Sequence, residues 1–397
     1  MKKLLLASAI AALSVSAAQA APTFYGKAFV TADYVNAESD MNLRANERAD
    51  KFLIDYDENT VEINSHASRL GLKGSETLSA NTDLVYQLEY GIGIDGDNNT
   101  FKSRDTYLGV VNKDFGQFRV GRNSSVLGYV NNVTLTEGYW DNLGNSKLES
   151  ENDLRALNML DDSRQSNSIV WIAPKYNNLP LELALQYASD ENFVDSKNGY
   201  GASLMFDQGT GFTAGLAYSK DMDVRVEKAD LLDNSNPLLP KIMGNQNYRG
   251  DVIRGTVSAD LAKYVTYPVK VGVMYQQTDY DFNGSDKEKG LVVSGEMGLT
   301  NFAKPASVYL QYNKTDNLNG FGDAESDQIV LGGKYMFKKN MIGHAYVGQN
   351  SADYVRPGKI DTVAVVNGKE VVTDTRYGNY KSDIDVFAVG GGLEYKF

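Results

Sequence analysis

The sequence predicts an all-β chain, a closed 16-stranded antiparallel transmembrane β-barrel. Three observations predict it. Runs of alternating apolar and polar residues recur from end to end, the last run ends on an aromatic, and the N-terminus reads as an export signal. Side chains of a strand point alternately to its two faces, so each run has one apolar and one polar side. That pattern suits a sheet with lipid on one face and water on the other.

The export signal comes first along the chain. Met1-Lys2-Lys3 is a basic start, Leu4 to Val15 an apolar core, and Ala18-Gln19-Ala20 a small-x-small site. Residues 1–20 are therefore expected to be a cleaved signal peptide, and 21–397 a single barrel domain. A membrane-spanning helix needs ~20 apolar residues, more than this segment offers. The chain has no cysteine, which excludes disulfides, a thiolate nucleophile and cysteine metal sites.

Sixteen alternating segments follow, near 23–35, 60–73, 81–94, 102–112, 116–122, 166–173, 180–188, 198–207, 211–219, 250–260, 267–280, 289–300, 305–314, 326–336, 341–350 and 384–397. In the seventh, Leu181, Leu183, Leu185 and Tyr187 share one parity, with Glu182 and Gln186 on the other. In the eleventh, Val269, Val271, Val273 and Tyr275 oppose Lys270 and Gln276. The sixteenth sets Phe387, Val389, Leu393, Tyr395 and Phe397 against Glu394 and Lys396. An even number lets both termini lie on one side of the membrane. Hydrocarbon cannot hydrogen-bond a free sheet edge, so the first and last strands must pair, Thr23 to Val30 beside Gly391 to Phe397. Tyr395 and Phe397 are expected to anchor that closure at the rim.

The connections sort into two kinds. Those after odd strands are the longer ones: 36–59, 95–101, 123–165, 189–197, 220–249, 281–288, 315–325 and 351–383. Those after even strands are tight, such as Lys113-Asp114 and Gln208-Gly209-Thr210. Long loops at one end and short turns at the other are an outer-membrane asymmetry.

Charge narrows the partners. Without Lys2 and Lys3 the chain has 37 basic and 51 acidic residues, a balance of −14. Nucleic acid binding needs a concentrated basic surface and is not expected. No cofactor is expected, and His66 and His344 are too far apart in sequence to suggest a metal site. Acidic residues crowd the outer connections, where divalent cations and lipopolysaccharide would meet them.

Five motifs then appear in order: Phe24-Tyr25-Gly26-Lys27, Ser68-Arg69-Leu70-Gly71-Leu72-Lys73-Gly74-Ser75-Glu76, Tyr86-Gln87-Leu88-Glu89, Arg104-x-x-Tyr107-Leu108-Gly109 and Phe115-Gly116-Gln117-Phe118-Arg119-Val120-Gly121-Arg122. With the terminal Phe397, the sequence resembles the general porins of Gram-negative bacteria over nearly its whole length. The resemblance implies a bacterial outer-membrane homotrimer of water-filled channels for passive diffusion of small hydrophilic solutes and ions. It also implies that the third long loop, 123–165, folds inward and narrows each channel. Basic wall residues then face acidic loop residues. Lys27, Arg69 and Arg104 match the family's wall positions, Arg122 its Gly-Arg motif, and Arg164 is a further member. The family's acidic motif, Pro-Glu-x-Gly-Gly, is reduced here to Thr136-Glu137-Gly138, which makes Glu137 the first acidic candidate and Asp141 the second. The terminal Phe397 resembles the family's signal for the barrel-assembly machinery.

The residues give a mechanism of their own. Lys27 shares its strand face with Tyr25, while Phe24, Ala28 and Val30 take the other, which puts Lys27 inside. Opposed charges across a narrow gap orient dipolar solutes and hydrated ions, while the diameter sets the size limit. Two alternatives stay open. A substrate-selective channel would need a track of lumen aromatics or a basic ring; Tyr25, Tyr309 and Arg254 have lumen parity but form neither. A lipase-type barrel enzyme would use His66 and Ser68, two residues apart on one strand face.

Overall fold

The structure, a computed structural model, describes residues 21–44, 53–96, 101–141, 155–160, 164–174, 179–190, 198–207, 209–223, 229–233, 241–246, 249–282, 284–366 and 369–397. The expected signal peptide lies outside the described residues.

Sixteen antiparallel strands close into one barrel. They are β1 (Thr23–Arg44), β2 (Leu53–Ser65 and Arg69–Ser79), β3 (Thr82–Gly91), β4 (Lys102–Asn112), β5 (Gly116–Ser124), β6 (Arg164–Ile172), β7 (Leu181–Ala188) and β8 (Gly199–Asp207). Then follow β9 (Phe212–Asp223), β10 (Arg249–Asp260), β11 (Val269–Tyr280), β12 (Glu288–Leu299), β13 (Ala306–Asp316), β14 (Glu325–Lys338), β15 (Met341–Val366) and β16 (Lys369–Lys396). Both pieces of β2 pair with β1, so they are one strand broken at His66 to Ser68. There Ala28 and Phe29 of β1 stand opposite three residues of β2, and Ala67 takes a positive φ of 46°. This is the geometry of a β-bulge, which lets a strand bend without ending.

Closure runs between the termini as expected. Lys27 pairs with Lys396, Ala28 with Tyr395 and Val30 with Leu393. The Gly26 and Phe397 main chains exchange hydrogen bonds, and Phe24 and Phe397 rings lie 6.1 Å apart.

The barrel is inside out relative to a protein dissolved in water. On β11, Val271, Val273 and Tyr275 are exposed, whereas Gln276 and Thr278 of the same strand are buried. On β13, Leu310 and Tyr312 are exposed while Gln311, Asn313 and Thr315 are buried. An apolar outer belt of this kind is costly in water and favourable against lipid.

Some connections expected from the sequence are strand instead. β1 and β2 stay paired out to Asn42 and Leu53, and β15 and β16 out to Val366 and Lys369. The segments 36–59 and 351–383 therefore largely prolong the barrel wall. Charged residues and, in the second segment, Pro357-Gly358 interrupt the alternation there, which hid the strands. Within 220–249 a short hairpin, Ala229–Asp233 with Lys241–Gln246, pairs apart from the barrel.

Candidate functional site

The third long connection leaves β5 and runs along the polar face of the far wall. Main-chain carbonyls of Leu127, Val130 and Val133 accept from Arg254 and Thr256 of β10 and Ser294 of β12. The Leu135 and Tyr139 amides donate to Gln311 of β13 and Tyr346 of β15, and the Trp140 indole donates to the Ala388 carbonyl of β16. Residues 155–160 return beside it, with Leu157 hydrogen-bonded through its amide and carbonyl to Asn350 and Leu160 through the same groups to Glu288 and Gln276. Wall amides and hydroxyls thus take the place of strand partners for an irregular backbone, which could not otherwise be buried.

Apolar side chains fasten the same segment. Trp140, Leu157, Met159 and Val130 are fully buried. Trp140 and Leu157 pack with Val330, Tyr346, Val386 and Ala388 of the wall. Gly348 is small for a reason: a Cβ there would come 2.7 Å from Trp140 Cε2.

The opposite wall, β1 to β6, carries the charges. Glu89 of β3, 6% exposed, is their centre. Its carboxylate accepts from Arg104 Nε at 2.8 Å and from the Tyr25 hydroxyl at 2.9 Å, and lies 3.7 Å from Arg69 Nε. A register shift makes this possible. Leu88 pairs with Thr106 but Tyr90 with Ser103, so Glu89 stands opposite both Arg104 and Asp105. Asp105 accepts from Arg164 Nε at 3.1 Å and from the Ser124 amide and hydroxyl.

The other predicted residues divide. Lys27 is buried on the inner face, as its parity required, but its ammonium lies 3.5 Å from Glu394 of β16 and 5.2 Å from the Phe29 ring centroid. Arg122 donates to the Ser103 carbonyl at 3.0 Å and to Ser166 at 2.6 Å, and so is joined to strand neighbours. Glu137 accepts from Lys334 of β14 at 3.4 Å. Asp141 is exposed, at the end of the outgoing stretch. Tyr395 and Phe397 lie in the β1/β16 seam, stacked at 6.1 Å.

Sequence reading missed Glu89 and Lys334. Glu89 could have been found, since it shares parity with Gln87 opposite Leu88. Lys334 could not, because only the path of the loop brings Glu137 to it.

The pair His66 and Ser68 is not arranged for nucleophilic chemistry. Ser68 accepts from the Phe29 amide at 3.0 Å and donates to its carbonyl at 3.2 Å, bridging the bulge in place of main chain. His66 Nε2 meets the Thr31 hydroxyl at 2.8 Å and lies 3.6 Å from Asp33, and its ring packs on Phe29. In place of a catalytic pair the bulge holds two groups bound to β1.

A closed barrel, apolar outside and lined with charge inside, defines a transmembrane channel. The chain belongs to the Gram-negative porin family, which it matches over residues 6–354. It is 25% identical over 329 residues to outer membrane porin C of Salmonella typhimurium, covering 75% of this chain and 83% of that one. It is also 25% identical to the major outer membrane protein P.IB of Neisseria gonorrhoeae, covering 85% and 90%. Among solved structures, its fold is shared by an anion-selective porin from Comamonas acidovorans, with a TM-score of 0.58 at 18% identity over 95% of this chain and 99% of that one. OmpF of Salmonella typhi gives 0.52 at 17% identity over 95% and 97%. The protein is an outer-membrane porin, a channel for passive diffusion.

Proposed function

We propose that solutes cross this porin through the gap left between the inward-folded loop, residues 123–165, and the wall formed by β1 to β6. Lys27, Arg69, Arg104 and Arg164 with Arg122 form the basic side, and Glu137 with Asp141 the acidic side. The observation that carries this reading is the chain of hydrogen bonds from Leu127 to Trp140, which fastens one stretch of the loop to strands β10 to β16. The lumen is thereby reduced from one side only, and passage is confined to the charged wall opposite.

Small hydrophilic solutes and ions fit such a gap, because polar walls replace part of their hydration and apolar solutes gain nothing by losing theirs. No chemical step is assigned to the chain, since the Ser68 hydroxyl is held by Phe29 and no base reaches it among the described residues. The exposed apolar belt is the surface for outer-membrane lipid and for two further copies in a homotrimer. The trimer form of OmpT of Vibrio cholerae, a barrel of the same fold, supports that assembly. Lipopolysaccharide would meet the acidic upper strands, the terminal Phe397 would engage the barrel-assembly machinery, and residues 1–20 would be removed on export. Liposome swelling tests the reading. Protein-loaded vesicles should admit small sugars at rates that fall steeply with solute size, and equal exclusion of all solutes would overturn it.

A further inference from the structure

The cations of the open wall are not equivalent. Arg69 and Arg104 share Glu89, Arg164 has Asp105, Lys27 has Glu394, and on the far side Lys334 has Glu137. A carboxylate lies within 4 Å of each: Arg164, Lys27 and Lys334 are offset one for one, which cancels most of the field a permeating ion would feel a Debye length away, ~8 Å in physiological salt, whereas Glu89 offsets one of the two guanidinium charges it holds. Two cations of the same wall are different. Lys73 of β2 and Arg119 of β5 have no carboxylate within ion-pair distance among the described residues. Each rests on an aromatic ring instead. The Lys73 ammonium is 5.0 Å from the Tyr25 ring centroid, and the Arg119 guanidinium carbon 4.8 Å from that of Tyr107. A ring face holds a cation in place through its quadrupole and leaves the net charge intact.

Register places the two in one strip. Lys73 pairs with Gln87, Gln87 pairs with Tyr107, and Arg119 lies over Tyr107. Arg119 also donates to Gln117 at 2.9 Å and to the Tyr129 hydroxyl at 3.4 Å, both neutral partners. Lys73 follows Arg69 by four residues on β2, hence on the same inner face and one step nearer the end where β1 begins and β16 finishes.

We propose that the channel prefers anions, and that Lys73 and Arg119, held on Tyr25 and Tyr107, set that preference. The solutes favoured are small inorganic anions and short organic carboxylates, which the strip attracts without a fixed carboxylate to repel them. The proposal rests on the channel reading above. It assigns ion selectivity chiefly to the two charges with no carboxylate beside them, below the arginine group whose charge Glu89 halves, and thus not to the number of basic residues.

Reversal potentials in planar bilayers under a potassium chloride gradient test it. The wild-type channel should show chloride permeating several-fold more readily than potassium. Lys73→Gln with Arg119→Gln should bring the ratio close to that of the two ions in water, while Lys73→Arg with Arg119→Lys keeps the preference. Wild-type channels that favour potassium, or a doubly neutral variant that keeps its full chloride preference, would overturn the proposal. Channels that conduct but lack anion preference contradict only this inference, whereas absence of any conductance contradicts the channel reading itself.

Discussion

Arg104 donates through Nε to Glu89 at 2.8 Å, although a simple two-residue alternation along β4 would not put Arg104 on the same face as Tyr107. The irregular register opposite Glu89 brings Arg104 and Asp105 together on the inner wall. The charged group of this porin therefore depends on a bulge as much as on residue type.

Replacing Glu89 by Gln removes the shared partner of two guanidinium groups. Hydrogen bonds to a charged group contribute ~1.5–3 kcal/mol, so thermal unfolding of the purified protein should occur at a lower temperature. The reversal potential should move toward stronger anion preference. Neutralising Arg69 and Arg104 together leaves Glu89 unopposed and should move it toward cations.

Trp140→Ala deletes a fully buried indole that packs the loop onto β14 to β16. Truncation of a buried Trp costs ~3–5 kcal/mol. Most of this should appear as a loosened loop, since the barrel strands remain paired. Single-channel records should show a larger and noisier conductance than wild type.

Lys334→Gln breaks a pair whose two side chains are 25% and 29% exposed. Partly exposed pairs contribute ~0.2–1 kcal/mol, so the unfolding transition should hardly change. Glu137 is left without its cation, and reversal potentials should shift measurably toward cation preference.

Ser68→Ala removes both side-chain bonds to Phe29 across the bulge. Two neutral hydrogen bonds amount to ~1–3 kcal/mol, and resistance to denaturant should fall accordingly. Phospholipid hydrolysis should be at background for wild type and variant alike. Activity in the wild type that disappears in Ser68→Ala would revive the lipase alternative.

The fold was legible because lipid imposes a simple rule on every strand: one face apolar, no free edge, aromatics at the rim. All sixteen segments are strands, and Thr23 to Val30 does meet the C-terminal run. The long extensions were less legible, since the outer parts of β15 and β16 break the alternation with charged residues and with Pro357-Gly358. In the site, Lys27 was named through the family's wall position, and parity placed it on the inner face, where it is buried. Arg104 was found through its motif and Glu89 was within reach of parity, but their pairing needed the register shift, and Lys334 needed the path of a long loop. Neither a bulge nor a loop path leaves a periodic trace in sequence.

The most direct test of the central claim is single-channel recording with purified protein in a planar bilayer. Discrete, ohmic steps that persist at low voltage, and that grow when Trp140 is replaced by Ala, are the predicted result. A bilayer whose conductance does not change when the folded protein inserts would contradict the claim that this barrel is an open channel narrowed by its third loop.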